Sequence, residues 1–205
     1  RELLEKAGYC EQKMGNFRSA VQYYQHIGLS GEPRLWTLKN MGICYRKLSD
    51  YNQALEVYEK ASTLQPDDQT TESLIGFCHL KLGDYTTALK HYFKIEYMNP
   101  GNLHILRPIA WSYFALGELE KSDKYFTKVF EGKPGYYDYI NYGHLQWALG
   151  NKRDAVELYV QSLRDLNFEM EDFLKTMEDD REFLVGNGIN LKDIPLMLDY
   201  LHYRL

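Results

Sequence analysis

The chain has 205 residues with a formal net charge of −5, so it has no general electrostatic attraction for nucleic acid, whose readers usually carry a basic domain or stripe. Nucleic acid is therefore not an expected partner. Hydrophobic residues at 44% and charged residues at 26% are ordinary for a globular chain, and no apolar run approaches the ~20 residues that a bilayer span requires.

The first residues, Arg1-Glu2-Leu3-Leu4, already lie inside a helical pattern, as expected of a segment cut from a longer protein. Gly8, Gly15, Ala20 and Tyr24 then set a frame. It returns as Gly42, Ser49, Ala54 and Tyr58, as Gly76, Gly83, Ala88 and Tyr92, and as Gly143, Gly150, Ala155 and Tyr159. A variant lies between the last two, with Ala110, Gly117, Ser122 and Phe126. Pro66, Pro100 and Pro134 close units, and Pro33 does so one residue out of step; proline cannot continue a helix. The frame predicts five helix–turn–helix units at 1–34, 35–68, 69–102, 103–135 and 136–167.

The pattern has a physical basis. Two antiparallel helices approach closely only if small residues stand where they cross, which positions 8 and 20 of each unit supply. Gly or Ser at position 15 lets the chain reverse. Apolar residues at positions 4, 7, 20, 24 and 27 follow three- and four-residue spacing, which gives each helix one buried stripe.

These residues resemble the tetratricopeptide repeat family, most closely over Leu35 to Asp68, which contains MGICYRKLSDYNQALEVYEKASTLQPDD. The resemblance runs to about residue 167 and implies an all-α fold, a right-handed α-α superhelix of stacked helix pairs. It also implies a protein-binding concave groove lined by positions 2, 5, 9, 12 and 13 of each first helix. Transferred here, these positions include Lys47, and the candidate partner-binding residues selected from them are Tyr9, Lys13, Trp36, Lys39, Ile43, Arg46, Phe77, Lys81, Arg107, Trp111, Phe114, Tyr137, His144 and Trp147. All three Trp of the chain are among them, and Trp, Tyr and Arg are the residues most enriched at binding hot spots. The basic residues interleaved with the rings suit a peptide with apolar anchors and some acidic side chains. Trp111→Ala or Trp147→Ala should then weaken binding and leave the fold intact. Family members that clamp the C-terminal carboxylate of chaperone tails use Lys, Asn, Asn, Lys and Arg at set positions. The first three units offer Glu5, Tyr9, Asn40, Thr70 and Leu74, so that subtype is not expected.

Cys10, Cys44 and Cys78 stand 34 residues apart, at one place in three successive first helices. Stacked helices lie ~8–10 Å apart, too far for one tetrahedral metal site, so buried structural thiols are expected. Their odd number fits a reducing, cytoplasmic setting. Pro108 falls inside a first helix, where a kink or shift is expected beside Trp111.

Beyond Phe168 the repeat gives way to a C-terminal helical cap, 168–205. An acidic helix of about 168–185 carries Phe173, Leu174, Met177 and Leu184 on one stripe, and Gly186 and Gly188 end it. Asp193 is the expected N-cap of a last helix with Ile194, Met197, Leu198, Leu201 and Leu205 on one face. Leu196, Tyr200 and Tyr203 make the opposite face apolar as well. Residues 191–205 are thus expected to fold over the last repeat, to enter the chain's own groove, or to self-associate. A structural or dimerisation module closed by its own terminal helix is accordingly the alternative to partner binding. Phosphate-binding glycine loops, HExxH and CxxC are missing from the sequence and its six His are dispersed, so neither an enzyme nor a cofactor is expected.

Overall fold

The computed structural model describes residues 1–29, 31 and 33–205, and all regular structure among them is helical. Two compact units divide the chain, Arg1–Pro100 and Gly101–Leu205. The first holds α1 (Glu2–Lys13), α2 (Phe17–Leu29), α3 (Leu35–Lys47), α4 (Tyr51–Leu64), α5 (Gln69–Lys81) and α6 (Tyr85–Met98). The second holds α7 (Leu103–Ala115), α8 (Leu119–Phe130), α9 (Tyr136–Ala148), α10 (Lys152–Val160), α11 (Met170–Asp179), α12 (Arg181–Gly186) and α13 (Asp193–Arg204). The pairs α1–α2, α3–α4, α5–α6, α7–α8 and α9–α10 each pack as a hairpin through a short turn.

Carboxylates start several of these helices. The side chains of Asp50, Asp68 and Asp84 accept from the backbone N–H three residues on, at 3.2, 2.7 and 3.0 Å. Each satisfies a donor that the first helical turn leaves open, worth about 1 kcal/mol. The hairpin turns reverse through left-handed backbone at position 15, where four units carry glycine and the second carries Ser49 with φ of 59°. A side chain there costs about 1–2 kcal/mol. Ser49→Gly should therefore raise stability by about 1 kcal/mol, read as a higher urea midpoint at unchanged slope.

The contact between paired helices is a tyrosine ring laid on a glycine. Tyr24, Tyr58, Tyr92 and Tyr159 are all buried, and each faces the glycine sixteen residues earlier. A Cβ on Gly8 would come within 2.7 Å of the Tyr24 ring, and one on Gly42 or Gly143 would be closer still to Tyr58 or Tyr159. Burial pushes the Tyr58 phenol up to about 12 against the opposing pull of Arg46. In the fourth pair Ala110 and Phe126 replace this couple, and the buried Ser122 hydroxyl donates to the Ala110 carbonyl at 2.9 Å.

Helix α7 continues past Pro108 as one helix. The carbonyl that loses its partner belongs to His104, at a partly solvent-exposed turn, where water can take up the bond. The predicted helix of 168–185 is two helices that meet at Asp180. Asp193 lies in the first turn of α13 and caps nothing; the side chain of Asn190 instead accepts from Lys192 N–H at 2.9 Å. Cys44 and Cys78 are buried, with thiols pushed up to about 11 by desolvation, but Cys10 is exposed. The fifth pair, which has no closing proline, runs on from α10 into a π-helical turn, Gln161–Asp165, and reverses at Asn167 with φ of 53°.

Candidate protein-interaction face

In the first unit the first helices α1, α3 and α5 carry two stations, each made of a ring and a cation. At one, the rings of Tyr9 and Trp36 lie 5.7 Å apart, 38% and 44% exposed, with Lys13 Nζ 5.1 Å above the Tyr9 ring. Trp36 also meets the buried Tyr24 edge-on at 6.3 Å, and the Tyr24 hydroxyl donates to Gln12 Oε1 at 3.0 Å. This holds the indole in place while nearly half of it faces solvent.

At the other station Phe77 is half-buried beneath the Arg46 guanidinium, 4.1 Å from the ring centroid, with Lys81 Nζ at 5.8 Å and Tyr51 edge-on at 6.2 Å. Ile43, half-buried, belongs to the same helix as Arg46. Lys39 differs from the other cations, because its Nζ lies 2.7 Å from Asp68. Burial would raise the Asp68 carboxyl, but Lys39 and Thr71 hold it below the usual carboxylate range. Lys39 is thus neutralised inside the unit.

The second unit treats the same register differently. Phe114 and His144 are fully buried and Trp147 is 3% exposed, so these three are core residues and not groove surface. The chain's own 168–187 segment covers Trp111, Phe114 and His144, and α13 lies beside Trp147. The Phe183 ring lies 5.4 Å from Trp111, and Asn187 Nδ2 donates to the Phe114 carbonyl at 3.0 Å. His144 has its Nδ1 2.7 Å from the Tyr159 hydroxyl, while its Nε2 faces Asp180 at 3.4 Å. Phe173 meets the Tyr159 ring edge-on at 5.3 Å, and Phe168 packs on Tyr136 and Tyr137 at 4.7 and 5.3 Å. Tyr137 keeps one side open. Arg107 donates through Nε to both Asp138 oxygens, at 2.8 and 2.9 Å, and Asp138 is buried. Arg107, like Lys39, is therefore a structural cation.

Phe183, Asn187 and Asp180 were not among the sequence candidates. Phe183 is next to Leu184 in the apolar pattern, and Asn187 stands between two glycines, but neither signal says which face the segment covers. The last helix buries Met197 and Leu201, whereas Leu196 is 66% and Tyr203 87% exposed. Between α10 and α13 lies a cleft of about 430 Å³ floored by Trp147, Val156 and Met197. Among the described residues no helix is long and apolar enough to cross a membrane.

Stacked helical hairpins built on a small residue and an aromatic define an all-α repeat protein of solenoid type. The family model for the tetratricopeptide repeat matches residues 36–68. Among solved structures, MamA 41-end from Desulfovibrio magneticus RS-1 aligns with a TM-score of 0.73 at 20% identity, covering 79% of this chain and 92% of that one. TTC0263, a thermophilic TPR protein in Thermus thermophilus, aligns with a TM-score of 0.65 at 15% identity, covering 87% and 97%. No curated protein sequence matches the chain. Residues 36–68 thus match the tetratricopeptide repeat, and the chain as a whole has the fold of tetratricopeptide repeat solenoids.

Proposed function

We propose that the chain is a protein-interaction scaffold whose partner docks on the first-helix face of the first unit, across Tyr9, Lys13, Trp36, Ile43, Arg46, Phe77 and Lys81. The observation that carries this reading is the contrast in cover between the two units. Trp147, Phe114 and His144 are buried beneath the chain's own C-terminal segment, whereas Trp36 and Tyr9 stay open beside cations. An ordered aromatic that is half in solvent is a poor contributor to its own core and a good anchor for a partner. The second unit accordingly takes the structural part, its face filled from within.

Trp36→Ala should weaken partner binding by about 2 kcal/mol, roughly thirtyfold, with the circular dichroism spectrum unchanged. Titration calorimetry with the captured partner reads this directly; affinity equal to that of the wild type would remove Trp36 from the docking face.

Self-association through residues 191–205 is a second reading, supported by the stripe of Leu196, Tyr200 and Tyr203 along the open side of α13. Such a stripe marks contact surfaces more often than plain solvated ones. Sedimentation would then give a mass that doubles with concentration in the wild type and stays monomeric in the Leu196→Ser/Tyr203→Ser double variant.

A further inference from the structure

We infer that the partner of the first-unit face is an acidic amphipathic helix with aromatic anchors, seated as residues 168–187 are seated on the second unit; this rests on the reading of that face as a docking surface.

Register supplies the first reason. Positions 9 and 12 of the first helices are the ones that the C-terminal segment uses. Position 9 is Trp111 and His144 in the second unit, met by Phe183 and Asp180, and position 12 includes Phe114, whose carbonyl takes the Asn187 amide. In the first unit the same positions are Tyr9, Ile43 and Phe77, and Gln12, Arg46 and Leu80. They stand at the same positions of the same kind of hairpin, and Tyr9 there is 38% exposed. A helix that presents a ring to position 9 therefore has a working precedent inside this molecule.

Charge supplies the second. Lys13, Arg46, Lys47 and Lys81 occupy positions 12 and 13, where the second unit has Phe114, Ala115, Trp147 and Ala148. Lys39 and Arg107 each have a carboxylate at ion-pair distance, but among the described residues these four cations form no such pair. Three of them lie over rings, at 5.1, 4.1 and 5.8 Å. A side chain that packs on such a ring puts a carboxylate one helical turn away within reach of the cation beside it. The covering segment of the second unit is itself of this composition, with seven acidic and two basic residues between 169 and 182.

The occupant is assigned to another protein and not to a second copy. The apolar side of the chain's own acidic segment, Phe173, Met177 and Leu184, is already buried in its own second unit. Among the described residues, the acidic segment of a second copy is therefore already engaged.

The test titrates the full chain with a synthetic peptide of residues 168–189, its amide counterpart with every Asp and Glu replaced by Asn and Gln, and a counterpart carrying Lys at those positions. The acidic peptide is expected to bind and to weaken at least about tenfold between ~50 and ~300 mM salt. It should weaken similarly in an Arg46→Gln/Lys81→Gln variant that keeps the Phe77 ring and a wild-type circular dichroism spectrum. The amide and Lys peptides should bind at least about tenfold less well. Failure of the acidic peptide to bind overturns the inference, as does binding that is indifferent to salt or to the double variant. If the amide peptide binds equally and Trp36→Ala abolishes both, the acidic class is wrong while the docking face stands. If Trp36→Ala changes neither, both are wrong. A mass that doubles in wild type and not in Arg46→Gln/Lys81→Gln would overturn the assignment to another protein.

Discussion

Trp147→Ala should cost about 3–5 kcal/mol of stability, the range for truncating a large aromatic in a packed core. The indole is 3% exposed and belongs to a cluster that includes Val156, Met197 and Leu201. Its removal would leave a cavity between α9, α10 and α13 that rigid helices close only in part. Thermal or urea unfolding followed by circular dichroism reads the loss. The sequence alone predicts the opposite outcome, weaker binding with an intact fold. A variant with an unchanged unfolding midpoint would return Trp147 to the surface.

Phe173→Ala should produce a loss of the same order, about 3–5 kcal/mol, but with a local signature. Phe173 is fully buried and meets the Tyr159 ring edge-on at 5.3 Å, so it ties α11 to the ring that packs on Gly143. Without it, the 168–187 segment retains the Phe183–Trp111 contact and the Asn187 hydrogen bond as its main ties to α7. Amide hydrogen exchange should then speed up across α11 and α12, and the Trp111 indole should become accessible to a fluorescence quencher. Exchange that rises no more in α11 and α12 than in α9 would show that the segment is held elsewhere.

The hairpins were legible in the sequence because their determinants are local. A glycine and the tyrosine that covers it lie sixteen residues apart, and the turn between them needs left-handed backbone at one fixed offset. The cover on the first helices was not legible, for a different reason. Whether Trp111 and Phe114 face a partner or the core depends on residues 168–187, and for Trp147 it depends on α13; both segments lie beyond the repeat and follow no repeat rule. An apolar side chain at position 9 or 12 has the same spacing in either case. The neutralised cations were hidden in the same way. Lys39 and Arg107 look like groove residues until Asp68 and Asp138, about thirty residues later, are seen to hold them. The acidic stretch of 169–182 was visible as composition, but only Asp180 among its acids meets a first-helix side chain at ion-pair distance within the described residues.

The laying of a ring on a bare backbone also limits how this array can be recombined. The second pair carries Gly42 beneath Tyr58, and the fourth carries Ala110 with Phe126 and a serine hydroxyl bonded to the Ala110 carbonyl. A chimera that exchanged α3 for α7 and left α4 in place would set a methyl group where Tyr58 leaves no room for one. Exchange of whole hairpins avoids that collision. The heritable module is therefore the hairpin, and the two halves of each are bound to diverge together.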